Sequence, residues 1–405
     1  MKFTALKKWL MTISLIIVLV LIGCHQYLSF DDDVVVIEDL DEKELPIELY
    51  VLEEVTSGKY EPQQGIYTGA YVAKDVYVQG DLLAYENLIG QTQTFKVFNY
   101  NSEEGISKHE LLQCIAQKKT PYIKLILGKN YDLTPLYQLI FDLKLGYHVP
   151  TFIELYPLTE KDYTVSEYKE TYQRAYEILH KYLSDIVVVW STDESRVSDM
   201  ALYYPGSGYV DWAGINVYIP KYKNGERYIY EGTASLDYWY KSFQSKKPML
   251  ISALAISHYS KIDHAYTIYE TQDKLKLFYD YTLAQYPRLR GIIYMNVDMA
   301  KVNDKGKEDY TLTGESRLQE TMQTLSLPLK IHPTLENELK KSFCYMKYSI
   351  KGALFDNELY IPSEYMAACF KEVPIRRLKN IQDASGEVYY AYGDIKQYCT
   401  TYYNA

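Results

Sequence analysis

Short apolar runs alternate with amphipathic stretches between about residue 65 and residue 296, regularly enough to predict an architecture. GIYTGAYVA (65–73), TFKVFNY (94–100), YIKLIL (122–127) and HVPTFIEL (148–155) read as strands. So do IVVVWS (186–191), YVDWAGINVYI (209–219), PMLISALA (248–255) and GIIYMN (291–296). The fifth run is apolar at successive positions, as expected of a parallel strand covered on both faces. Helical spacing fills the gaps: DLLAYENLI stops at Gly90, SKHELLQCIAQ spans 107–117, and TPLYQLIFDLKLG spans 134–146 with Thr134 as cap, Pro135 entering the helix and Gly146 closing it. SEYKETYQRAYEILHKYL (166–183) sets Tyr168, Tyr172, Ala175, Tyr176 and Leu179 on one face. Strand and helix alternating through eight units predict an α/β fold, a (β/α)8 TIM barrel over residues 61–330, with functional groups where strands end.

The flanks differ in pattern. Lys2, Lys7 and Lys8 precede the apolar run WLMTISLIIVLVLIG (9–23), which is short for a membrane span of about 20 residues but suits an export signal. It ends in Leu21-Ile22-Gly23-Cys24, which resembles the lipobox of bacterial lipoproteins; the resemblance implies cleavage before Cys24 and lipidation of its sulfur. An uncleaved anchor that borrows Leu28 and Phe30, or plain secretion, are the other readings of the segment 1–24. All place the chain outside the cytoplasm, and the first two hold it at the membrane. Residues 25–60 are acidic and irregular and read as a tether with some extended structure. From about residue 340 to 405, two successive segments each pass from a short strand through a tyrosine into a helix start, which predicts a small α+β module of two half-repeats. NELYIPSEYMAACF and GEVYYAYGDIKQY in that module resemble bacterial surface stalk domains, also described as copper-amine-oxidase N-terminal-like, and this implies envelope display.

Composition narrows the partners. A net charge of −10 with no cluster of Lys and Arg argues against nucleic acid. The 45 tyrosines offer apolar ring faces with polar tips, suited to wet surfaces and sugar platforms as well as to cores. Cys114 reads as a small buried hydrophobe, while Cys344, Cys369 and Cys399 crowd the last stretch, where a disulfide among them is permitted outside the cell but its pairing is open. Three separated thiols with no CxxC make a poor zinc site, and His258 and His264 have no partner at ligand spacing; neither a metal nor a cofactor is expected.

Three stretches carry candidate chemistry: FIELYP (152–157), VVVWS before residue 192, and YPGSGYVDWAGINVY (204–218). Together with DYTLTGESRLQETM (309–322), read as a closing helix, they make the barrel resemble glycoside hydrolase family 26, whose members are mostly mannanases, with some acting on mixed-linkage glucans or xylans. The resemblance implies two carboxyl groups about 5–5.5 Å apart, one a proton donor and one a nucleophile. Glu154 stands where the acid/base belongs, although Ile153 and Tyr156 replace the family's usual His and Asn beside it. The nucleophile's pattern, P-x-x-I-S-E-F-G, corresponds to PMLISALA, so Ala253 occupies the glutamate position. A methyl group can neither attack an anomeric carbon nor stabilise its developing charge. Asp193, Glu194 and Asp298, at strand ends, are the carboxylates that could substitute in an inverting arrangement, across about 6.5–9.5 Å. Tyr71, Tyr100, Tyr156, Trp190, Trp212 and Tyr218 are candidate saccharide platforms; Tyr218 resembles the family's sixth-strand tyrosine. The expectation is an exported, membrane-tethered barrel that binds a polysaccharide with hydrolysis lost or reduced. The alternatives are an active hydrolase using Glu154 with another base, and a surface-structural protein with an inert cleft.

Overall fold

The computed structural model describes residues 35–398 apart from 38–44, 64, 102, 128–131, 145–148, 158–163, 231, 303–304, 326–330, 337–341, 371–372 and 374. Two compact units divide the chain, Met1–Leu49 with Ser349–Tyr402, and Tyr50–Tyr348 with Tyr403–Ala405.

In the larger unit, all eight runs singled out by their apolar pattern are strands of one closed parallel barrel. In chain order they are Tyr67–Tyr71, Phe95–Tyr100, Thr120–Leu127, Thr151–Pro157, Ile186–Asp193, Trp212–Ile219, Met249–Ile256 and Leu289–Met295. Helices Leu82–Ile89, Lys108–Ala116, Thr134–Lys144, Val165–Tyr182, Thr233–Phe243, Ile268–Lys276 and Ser316–Thr324 lie between or after them, so the fold is a (β/α)8 TIM barrel. Capping follows from local chemistry. Asp81 accepts from Leu83 N before the first of these helices, Gly90 ends it at φ 67°, and Thr164 with Glu167 forms a capping box for Val165–Tyr182.

Period-two alternation along the strands sorts side chains into two apolar layers. Val188, Trp190, Ile153, Leu155 and Ile251 pack outward against helices, whereas Val187, Val189, Phe152, Leu250 and Ala253 fill the barrel. The seventh strand breaks this alternation. Its register with both neighbours shifts between Ile251 and Leu254, a bulge that turns Ser252 and Ala253 both to the interior side. Gly214 on the sixth strand makes room for this: a Cβ there would lie 2.9 Å from Ser252 Oγ and 3.1 Å from Ser191 Cβ.

The amino-terminal end of the barrel is plugged. Trp212 donates to the Lys59 carbonyl at 2.8 Å and packs against Tyr67 and Phe152. Arg288, fully buried, grips both oxygens of Glu61 at 2.9 and 3.0 Å and donates to the carbonyls of Gln244 and Thr56. This stretch had been expected to be tether up to residue 60; it is part of the barrel unit from Tyr50 on, because Glu61 and Tyr60 anchor it.

The smaller unit takes strands from both ends of the chain. A six-stranded sheet runs Val35–Ile37, Asn380–Asp383, Val388–Ala391, Glu358–Pro362, Ser342–Phe355, Leu45–Val55. The two half-repeats are present as strand, strand, helix twice over, the second helix being Tyr392–Tyr398. The β-branched run Val35–Ile37, inside the acidic stretch, pairs in parallel with Asn380–Asp383, so the module is larger than residues 340–405 alone. Cys114, Cys344 and Cys369 are buried; Cys24 and Cys399 lie outside the described residues. Among the described residues no helix is long and apolar enough to cross a membrane; the run 9–23 lies outside them.

Candidate functional site

The carboxyl-terminal half of the barrel interior holds a connected set of polar side chains in an otherwise apolar core. Glu154, on the fourth strand, is fully buried. Its Oε2 accepts from the Tyr122 hydroxyl at 2.9 Å and pairs with Lys124 Nζ at 2.7 Å; its Oε1 accepts from Ser191 at 2.5 Å. Tyr122 and Lys124 both come from the third strand, where alternation puts residues 122 and 124 on one side. Burial and the Glu154 carboxylate push the Tyr122 phenol well above its ordinary pKa, so it remains a hydrogen-bond donor.

The network continues along the neighbouring strands. Asn216 donates to Ser191 at 3.5 Å and to Asp193 Oδ1 at 3.2 Å, and accepts from Ser252 at 2.8 Å. Asp193, Asn216 and Ala253 occupy one row across the fifth, sixth and seventh strands. Asp193 is thus a second carboxylate tied to the Glu154 network, bound through Asn216. Ala253 itself is fully buried in the inner apolar layer, in a cluster that includes Tyr71, Met295 and Val297 and against which Met299 and Val302 pack.

The other expected residues are placed as follows. Tyr71 lies inside the barrel, its hydroxyl near Asn99 and its pKa raised by burial. Tyr218 stands 45% exposed at the end of the sixth strand, paired in register with Ala255. Tyr100 and Trp190 face the helices instead of the mouth: the Tyr100 hydroxyl donates to Asp142, and Trp190 Nε1 to the Tyr168 hydroxyl at 3.1 Å. Both sit one residue out of phase with the interior positions of their strands. Trp212 is interior but at the plugged, opposite end. The side chain of Tyr156 lies outside the described residues.

Glu194 starts the turn after the fifth strand, and burial raises its carboxyl to about 7, only partly offset by a hydrogen bond with Tyr230 and by nearby Lys223. Asp298 pairs with Lys301 at 2.9 Å rather than with the Glu154 network. His258 is buried: it stacks under Tyr266, and burial lowers its pKa despite Asp309, whose carboxylate lies 3.7 Å from Nε2. His264 carries a positive φ of 54° and meets the Tyr259 hydroxyl. Among the described residues no three His, Cys, Asp or Glu side chains are grouped to hold a metal ion.

Sequence reasoning missed Lys124, Tyr122, Ser191, Asn216 and Ser252. The available signal was a polar residue inside an apolar strand run, the Lys of YIKLIL above all.

A model of glycosyl hydrolase family 26 matches residues 158–286, which begins just past Glu154 and takes in Ala253. The chain therefore carries a glycoside hydrolase-like barrel. No curated protein matches its sequence. Solved structures similar to it include a family 26 β-mannanase from Bacteroides ovatus, at 12% identity and TM-score 0.47, covering 69% of this chain and 92% of that one. A family 39 glycoside hydrolase from Bacteroides cellulosilyticus matches at 11% identity and TM-score 0.49, covering 83% and 81%. A Bacteroides uniformis β-glucuronidase matches at 12% identity and TM-score 0.44 over 60% of this chain; the chain spans 32% of that enzyme's length.

Proposed function

We propose that this protein is a glycoside hydrolase-like barrel that binds a polysaccharide and does not cleave it efficiently. The observation that carries the reading is the state of the two positions at which cleavage would occur. Ala253 offers a methyl group in an apolar layer, and Glu154 is enclosed by three donors, one of them the Lys124 ammonium. Retaining hydrolysis needs a free proton donor and an opposed nucleophilic carboxylate. The family 26 match supports a polysaccharide ligand, and the family resemblance makes β-mannans and mixed-linkage β-glucans the first candidates. We assign the amino-terminal apolar run and Cys24 to export and to tethering at the cell membrane, facing outside, with the small module contributing to display.

A second reading has one observation in its favour. Asp193 joins the Glu154 network through Asn216, and an inverting enzyme places its base farther from its acid than a retaining one. Affinity electrophoresis in gels containing each polysaccharide, run beside a reducing-end assay, separates the two. Retardation without new reducing ends supports the binding protein; product release abolished by Asp193→Asn establishes the inverting enzyme.

A further inference from the structure

The loops after the seventh and eighth barrel strands meet in a three-stranded sheet, Ala265–Tyr266, Tyr259–Ser260 and Glu308–Asp309. His258 stands at its base. The His258 N–H donates to the Asp309 carbonyl at 3.0 Å and the His258 carbonyl accepts from Thr267 N at 2.8 Å, so this residue closes the first loop and ties it to the second. Its ring is 2% exposed and stacks under Tyr266, which is 63% exposed.

This seat suits a neutral imidazole only. Nδ1 is buried with no hydrogen-bond partner among the described residues, and Nε2 lies 3.7 Å from Asp309 Oδ2, beyond hydrogen-bond reach. An imidazolium would carry an N–H at both atoms and a charge as well. Around the ring, Asp309, Glu315 and Asp298 favour that charge and Lys301 opposes it. Two of the three carboxylates are already engaged, Asp298 by Lys301 and Glu315 by Arg317, each at 2.9 Å. Asp309 accepts from Thr311 N and Oγ1 at 2.8 Å. Loss of water therefore outweighs their pull, and burial holds the imidazole below its ordinary pKa. Burial raises Asp309 in turn.

The remaining titratable groups of the loop behave differently. Despite desolvation, Asp263 is held below its ordinary pKa by Lys221, which pairs with it at 2.5 Å, so that tie stays charged in mild acid. His264 is exposed with the loop closed, and opening changes its surroundings little.

We propose that residues 259–267 are a pH-operated flap, closed over a neutral His258 near neutral pH and released in mild acid, where the exposed imidazole takes up a proton. An imidazole returned to water titrates near about 6.5. The closed state is therefore fully favoured above that pH and loses ground as pH falls below it. Asp309 acts in the opposite sense, because its raised pKa lets the closed state take up a proton in acid.

Hydrogen–deuterium exchange of the full chain between pH 7.5 and 5.5, corrected for the intrinsic pH dependence of exchange, tests the flap. Protection of residues 258–267 should fall by about threefold or more, with a ceiling of about tenfold set by a free imidazole, while the fifth barrel strand stays protected. His258→Gln should abolish the fall, and Asp309→Asn should steepen it towards the ceiling. Wild-type protection that does not change with pH overturns the flap, as does a fall that survives His258→Gln. Should His258→Gln not fold, an Asp309→Asn profile no steeper than wild type overturns it equally.

Discussion

Lys124 Nζ lies 2.7 Å from Glu154 Oε2 inside the barrel, with the lysine side chain 11% exposed and the glutamate fully buried. Two charges taken out of water stay favourable only while they face each other and their remaining atoms are bonded. Tyr122 and Ser191 complete that bonding. The pair therefore anchors the third strand to the fourth, which gives Glu154 a structural task.

Removing one partner should expose this. Lys124→Ala leaves a buried carboxylate without its counter-charge and should destabilise the protein by about 3 kcal/mol. Adding Glu154→Gln to it should recover part of the loss. Urea unfolding of the two singles and the double gives the coupling directly; additive effects would show that the ion pair contributes nothing.

Ala253→Glu introduces a carboxylate at the position that the proposed reading assigns to a nucleophile, without changing its surroundings. The new carboxylate enters the fully buried barrel interior in the row of Asp193 and Asn216, where a further charge is costly and a larger side chain strains its neighbours. The variant should melt lower than wild type and release no more reducing sugar. A stable variant with new hydrolysis would mean that Glu154 remains a competent acid despite Lys124.

Glu194 predicts a pH dependence of stability. Burial raises its carboxyl from 4.5 to about 7, so folding takes up a proton in that window. Its contribution to stability is present below about pH 4.5 and is lost as pH rises through about 7. Glu194→Gln removes the loss: the variant should melt above wild type at pH 8 and the difference should shrink towards pH 4. An unchanged difference across that range would contradict the buried placement.

At the other end of the barrel, Arg288 holds Glu61 in a two-point grip and also binds the Gln244 and Thr56 carbonyls. Lysine cannot reproduce that fork. Arg288→Lys should cost several kcal/mol, about 3 by comparison with other buried pairs, read as a lower denaturation midpoint at unchanged slope.

The barrel was legible because its strands are apolar runs and several of its helices carry their period and a capping side chain. Val35–Ile37 was not, because three β-branched residues among acidic neighbours declare no partner, and theirs lies at Asn380–Asp383, far along the chain. Within the site, the family resemblance pointed to Glu154 and Ala253, and phase decided Tyr100 and Trp190, which sit one residue off the interior positions of their strands. The bulge at Ser252 and Ala253 leaves no mark in composition. Lys124 was overlooked for a related reason: its role depends on a register that pairs residue 124 with residue 154.

The most direct measurement is the chain length of galactomannan and mixed-linkage β-glucan after prolonged incubation with concentrated wild-type protein, followed by size-exclusion chromatography. With Glu154 bound to Lys124 and a methyl group at position 253, the elution profiles should match those of polysaccharide kept without protein. A shift to shorter chains that disappears with Glu154→Gln would contradict the account.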